Sequence, residues 1–274
     1  MERIQAAIQK AKERRGEPPA PGLAPAGAAR GGRAAPGRAA GPAWAELEAF
    51  EPDPRLLAKN RIVTFADVDP AHVTFDMMRT KILRAMRQNG WTALGVSSPT
   101  SDCGKTTTTV NLAFSLAHQA DVRTVLVDLD LRRPAVARQL GLTRPQSMAS
   151  VLQGTRDVAE NFVRYGDNLA IGTNAATMRS SAELLLAAGT AQGVAAIKAA
   201  FLPDVILYDL PPVLSSDDVM AFVPHLDCVL LVAAAELTRL DEVDKCEREL
   251  AEQTNVLGVV LNKCRYMGED YGYY

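Results

Sequence analysis

Gly104, Lys105 and Thr106 stand together in the stretch L-G-V-S-S-P-T-S-D-C-G-K-T-T-T-T, residues 94–109. An apolar run ends there in small residues, and a helical apolar pattern follows through Val110, Leu112, Ala113, Leu116 and Ala117. A helix N-terminus offers unpaired N–H groups and a partial positive charge, which suits a triphosphate. In that setting Gly104 lets the backbone approach closely, Lys105 reaches the β- and γ-phosphates, and the Thr106 hydroxyl can ligate Mg2+. The expected nucleotide-binding stretch is therefore Asp102, Cys103, Gly104, Lys105, Thr106 and Thr107. It departs twice from the usual pattern: Pro99 stands where G-x-x-x-x-G-K-[ST] has its first glycine, and Asp102 brings a carboxylate into the cradle.

A turn of small residues between a strand and a helix would account for this stretch alone. Two further stretches argue for chemistry. V-L-V-D-L-D-L-R (125–132) is an apolar strand ending in Asp128, Asp130 and Arg132, and V-I-L-Y-D-L-P-P (205–212) is another ending in Asp209. Parallel strands deliver their C-terminal ends to one crevice, so Asp128, Asp130 and Asp209 can converge on Lys105 and Thr106.

These residues need a scaffold, and the chain supplies one. Its 274 residues, 47% of them apolar, suffice for a large core, and a formal charge of −2 disfavours bulk nucleic-acid binding. Four cysteines (Cys103, Cys228, Cys246, Cys264) show no C-x-x-C spacing, and no secretory apolar segment follows Met1, which points to a reducing cytoplasm. The longest uncharged apolar stretch, 184–197, is too short to span a bilayer.

Taken in order, residues 1–16 have the spacing of a short amphipathic helix, and 17–43, rich in Ala, Gly, Pro and Arg, read as a linker. Residues 1–40 hold eight Lys and Arg against three Glu, a net +5 suited to an anionic surface. Residues 44–57 read as a short clasp, and Arg61 to Phe65 as an edge strand. A helix follows Pro70, with Phe75, Met78, Ile82, Leu83 and Met86 on one face, ending near Asn89-Gly90. Beyond the first acidic strand end, helices are expected over 134–140 and 147–153, then a strand over 168–172 and two helices, 180–188 and 192–201, separated by Gly189. Strands over 229–232 and 256–261 with a helix over 240–253 complete the alternation. The expected architecture is a doubly wound α/β domain over 60–264, its mostly parallel sheet flanked by helices on both faces. A basic N-terminal segment (1–59) and a tail (265–274) flank it. That tail holds Tyr266, Tyr271, Tyr273 and Tyr274, four of the six tyrosines, beside Glu269 and Asp270, and has the composition of a substrate.

The G-K-T loop, the D-x-D-x-R strand end, the D-L-P-P strand end and the terminal tyrosines together resemble the bacterial tyrosine kinases (BY-kinases) of exopolysaccharide and capsule synthesis, over roughly residues 60–274. Partition and septum-placing ATPases carry a signature lysine where this chain has Pro99, and lack the tyrosine tail. The resemblance implies a P-loop fold and an ATP- and Mg2+-dependent protein-tyrosine autokinase. Lys105, Asp128 and Asp130 would be catalytic, and Thr106, Asp128 and Asp209 would hold the metal. Arg132 would shape the nucleotide site, Asn262 would touch the adenine, and Tyr266, Tyr271, Tyr273 and Tyr274 would accept phosphate. It also implies a homo-oligomeric ring, an inner-membrane co-polymerase that sets chain length and activates the kinase, an opposing phosphotyrosine phosphatase, no nucleic acid, and a cytoplasmic place beside the inner membrane. Two departures stand out, the first bearing on ring assembly and the second on triphosphate binding and catalysis. The family's E-x-x-R-x-x-R ring motif reads here V-T-F-D-M-M-R, leaving Arg79, and Ser101-Asp102 replace a commoner Pro-Gly. An ATP-binding scaffold of the export complex is the alternative expectation, and a partition-type ATPase a third.

Overall fold

Apolar runs with β-branched residues at both odd and even positions cannot leave either face wet, and here they form the centre of one sheet. In the computed structural model, which describes residues 41–65, 69–144 and 146–264, eight strands lie in the order β1-β4-β5-β3-β6-β2-β7-β8. Their ranges are β1 Glu48–Ala49, β2 Ala93–Ser97, β3 Thr124–Asp128, β4 Phe162–Tyr165, β5 Leu169–Gly172, β6 Val205–Asp209, β7 Cys228–Ala234 and β8 Asn255–Asn262. Every pairing is parallel except β4 with β5.

Alternation along the strands divides the core between the two faces. Val125, Val127, Ile206, Tyr208, Val229 and Leu231 join one cluster, and Leu94, Val96, Leu126, Leu207, Leu230 and Val232 the other. Helices α7 (Ala188–Phe201), α8 (Asp218–Phe222) and α9 (Leu240–Ala251) cover the first face. The second is covered by α2 (His72–Asn89), α3 (Lys105–Ala117) and α4 (Val136–Leu140). Shorter helices are α1 (Pro54–Lys59), α5 (Met148–Leu152) and α6 (Ser181–Leu186). The doubly wound expectation holds. Helix α2 ends at Gly90, whose φ of 69° is the left-handed cap that favours glycine.

Four details correct the sequence reading. Arg61 to Phe65 is not a strand. The Asn111 side chain holds it instead, accepting from Val63 N (2.7 Å) and Thr64 N (3.2 Å) and donating to Arg61 O (2.9 Å), so one amide does the work of a strand partner. The outer strand on that side is β1, paired with β4, and the nearby Trp44 is buried with its indole N–H on Phe201 O (2.7 Å). Both lie in the stretch read as preceding the domain; the buried side chains of Trp44, Leu47 and Leu57 and the β1–β4 pairing tie it to the sheet. Gly189 does not separate two helices but lies inside α7, the break falling at Ala187 with ψ 144°. Finally, β4 and α8 were not anticipated, being short runs without a full period of their own. The expected amphipathic helix over 1–16 and the tail tyrosines lie outside the described residues.

Candidate functional site

Strands β2, β6 and β3 are neighbours, and their C-terminal ends bring the expected residues together. Asp128 and Asp209 stand opposite each other in register. Between β2 and α3 the chain turns through Asp102 at φ 62° and Gly104 at φ 86°. A Cβ on Gly104 would come within 2.3 Å of Asn262 Nδ2, so glycine is required here on two counts. The first intrahelical bond of α3 runs from Thr108 N to Gly104 O (2.9 Å). The N–H groups of Lys105, Thr106 and Thr107 therefore emerge at the helix end without intrahelical acceptors, as an anion site requires.

The Lys105 ammonium lies 2.8 Å from Asp130 Oδ2 and 3.6 Å from Asp209 Oδ1. The Thr106 hydroxyl donates to Asp209 Oδ2 (2.6 Å), and Thr109 reaches Asp209 Oδ1 (3.3 Å). Burial opposes the charge on Lys105, but Asp209 and Asp130 outweigh it and hold its pKa above the ordinary lysine value. Burial raises the pKa of Asp209, against the pull of Lys105 and the Thr106 hydroxyl. Asp128 is raised well above the usual carboxylate range, first by burial and then by the charge of Asp209.

Asp128 accepts backbone N–H groups on both of its oxygens. Its Oδ1 accepts from Asp130 N (3.2 Å), and its Oδ2 from Ala135 N and Val136 N (both 3.1 Å). Arg132 leans away from the loop, with Nε on Ser181 Oγ (3.1 Å) and Asp218 Oδ1 (3.2 Å). Asn262 donates to Cys103 O (2.9 Å) and so braces the phosphate loop. The Thr107 hydroxyl accepts from Gln139 Nε2 (3.2 Å), Asp102 is exposed, and the Cys103 thiol is buried against Thr100 O (3.3 Å). Arg79, the remnant of the ring motif, is bonded inside the protomer to Asp76 (2.7 Å) and Ser115 O (2.8 Å).

The donor set fits a magnesium nucleotide. Two buried carboxylates, Asp130 and Asp209, lie against one ammonium, with Asp128 buried opposite Asp209, and a divalent cation would relieve the repulsion among them. Among the described residues no three His, Cys, Asp or Glu side chains form a ready metal cage. Mg2+ is usually held by one or two carboxylates together with water and phosphate, and Asp209 with the Thr106 hydroxyl offers such a partial donor set.

Sequence reasoning missed Thr109, Asn174, Ser181 and Asp218. Thr109 was within reach of it, three residues from Thr106 on the same helix face. Asn174, whose Nδ2 donates to Asp128 O (2.6 Å), and the two anchors of Arg132 carry no local signal.

Comparison with known proteins gives three results. The CbiA pattern, the CobQ/CobB/MinD/ParA nucleotide binding domain, matches residues 94–270. The chain is 27% identical over 200 residues to the tyrosine-protein kinase YwqD of Bacillus subtilis, covering 72% of this chain and 83% of that one. It is 27% identical over 202 residues to the tyrosine-protein kinase wzc of Salmonella typhi, covering 72% of this chain but 28% of that one. Two relatives from Ralstonia are likewise matched over 27% of their length, so the chain spans about a quarter of these longer proteins. Among solved structures, the kinase domain of the Escherichia coli tyrosine kinase ETK superposes with a TM-score of 0.67 at 23% identity, covering 77% of this chain and 84% of that one. The septum site-determining protein MinD of Pyrococcus horikoshii, complexed with Mg-ADP, gives 0.53 at 20% identity over 65% of this chain and 74% of that one. Among the described residues no helix is long and apolar enough to cross a membrane.

Proposed function

The chain belongs to the CobQ/CobB/MinD/ParA nucleotide-binding domain family, and from that premise we propose that it is an ATP-dependent protein-tyrosine kinase whose first substrate is its own terminal tyrosine cluster. The observation that carries the reading is Lys105 at the start of α3, held between Asp130 and Asp209, with Thr106 on Asp209. The kinase relatives and the tail of Tyr266, Tyr271, Tyr273 and Tyr274 point to phenol as the acceptor.

Bound Mg·ATP would supply the phosphoryl group and the charge that offsets the acidic crevice. Lys105 and the N–H groups of residues 105–107 would hold the phosphates, while Thr106 and Asp209 would hold the metal. Positioning and charge stabilisation account for most of the rate in such reactions. A phenol of pKa about 10 does not surrender its proton in advance to a carboxylate of about 4, so an acid at this site orients the hydroxyl and accepts the proton late. Asp130, with one backbone N–H on Oδ1 and the Lys105 ammonium on Oδ2, is less committed to the backbone than Asp128, whose two oxygens accept from three backbone N–H groups. Asp128 then acts by shaping the loop that carries Asp130.

The wider role follows from the BY-kinase resemblance: control of exopolysaccharide or capsule export with an inner-membrane co-polymerase, homo-oligomeric assembly, and reversal by a phosphotyrosine phosphatase. A second reading, an ATP-binding export scaffold with little transfer activity, is favoured by the engagement of Asp128 and by Asp102 in the loop. Incubation of the protein and its Lys105→Met variant with Mg·ATP, with and without a candidate activator, decides between them. The kinase reading expects phosphate on the tail tyrosines of the unmodified protein only; none on either protein, with nucleotide bound, supports the scaffold.

A further inference from the structure

The exit of β3 and the segment before α6 run side by side. Met178 N donates to Leu131 O (2.8 Å), which sets the backbone at Arg179 next to that at Arg132 and Arg133. This is the strand end that delivers Asp130 to Lys105. All three arginines are exposed. Arg132 is fixed along one edge, Nε to Ser181 Oγ and to the fully buried Asp218, and its side chain is still 44% exposed. Among the described residues its two terminal nitrogens have no partner. Of the acids on the adjoining elements, Asp218 is committed to Nε, and Asp217 and Glu183 are exposed without an ion pair to any of the three arginines.

We infer that Arg132, Arg133 and Arg179 form the docking face for the acceptor, and that the substrates of this site are tyrosines flanked by acidic residues. The inference rests on the kinase reading above. The chain itself carries such a segment, Y-M-G-E-D-Y-G-Y-Y at 266–274, with Glu269 and Asp270 directly before Tyr271. A guanidinium presents paired N–H donors that match a carboxylate. One already held by its Nε edge has less freedom to lose when it binds. The arrangement also separates two tasks: Lys105 faces the nucleotide, and the arginines face the acceptor's acids.

The test uses the full-length chain carrying Glu269→Gln and Asp270→Asn, so that its own tail competes weakly. The probes are a labelled peptide of residues 265–274 and its Gln/Asn counterpart, read by fluorescence anisotropy for binding and by mass for phosphate after addition of Mg·ATP. The acidic peptide is expected to bind about tenfold more tightly, with the preference shrinking as salt is added. It should fall to near parity in Arg133→Gln/Arg179→Gln and persist in part in Arg133→Lys/Arg179→Lys, with thermal melts confirming that each variant folds. Equal binding of the two peptides, or a preference surviving the double Gln change in a folded variant, overturns the docking face. Preferential binding without phosphate transfer instead overturns the kinase reading and leaves the docking face standing. Equal phosphorylation of both peptides does the reverse.

Discussion

The loop after β2 and the loop after β3 meet at the same crevice but dispose of their backbone amides in opposite ways. After β3, Asp128 accepts from the N–H groups of Asp130, Ala135 and Val136, and Asp130 from that of Arg133 (3.0 Å), so the loop satisfies itself with its own carboxylates. After β2, the turn is braced from outside by Asn262 on Cys103 O, and the amides of residues 105–107 are left facing the crevice. The difference shows that an acid at a strand end can also brace its own loop. Asp128 builds a loop, while Asp209 and Asp130 hold the lysine and threonine at the place where an anion would bind. It also shows which loop can give way: the phosphate loop can exchange partners with a nucleotide without losing its brace.

This contrast can be broken most severely at Lys105. Lys105→Met is expected to lower phosphate transfer by about 10²–10³-fold, the size of losing one preorganised charge-stabilising donor, as read by tail phosphorylation under saturating ATP. Unchanged transfer would remove the phosphate loop from the chemistry. Asp128→Asn tests the self-satisfied loop: an amide cannot accept at both positions, so a backbone N–H is left buried, at about 1–3 kcal/mol in denaturant unfolding. A neutral result would show that the loop does not depend on both acceptor oxygens. Gly104→Ala imposes about 1–2 kcal/mol of left-handed strain and pushes Asn262 off the loop, so nucleotide affinity measured by calorimetry should fall about tenfold or more. Asn262→Ala combined with it should recover only the steric part.

The smallest effect is in pH. The pKa values of Asp128 and Asp209 are raised on folding, so the folded chain binds more protons than the unfolded one between the ordinary carboxylate value and the raised values. Their contribution to stability is full below that ordinary value and is lost as pH rises through the raised ones. Lys105, also raised, keeps its contribution throughout and loses it only in strong alkali. Thermal melts of ligand-free protein from pH 5 to 8 should therefore slope downward more in the unmodified chain than in Asp209→Asn. Parallel slopes would show that Asp209 is ionised at little cost even without a cation.

The chain's local chemistry determined a good deal unaided. Apolar runs opening the stretches 125–132 and 205–212, and the run at 229–232, read as strands covered on both faces, and a G-K-T turn into an apolar helix, taken with the acidic strand ends, reads as a phosphate cradle. From those, the parallel sheet and the meeting of Asp130 and Asp209 with Lys105 follow. Only the tertiary structure decided what each side chain would bind. Asn111 took the place of a strand for residues 61–65, Trp44 joined the core through a carbonyl 157 residues away, and Arg132 found Asp218 across 86 residues. Hydrophobic period and turn chemistry are properties of a dozen neighbouring residues and can be read in place. A hydrogen-bond partner depends on sheet register and helix packing, which exist only once the whole chain has closed on itself.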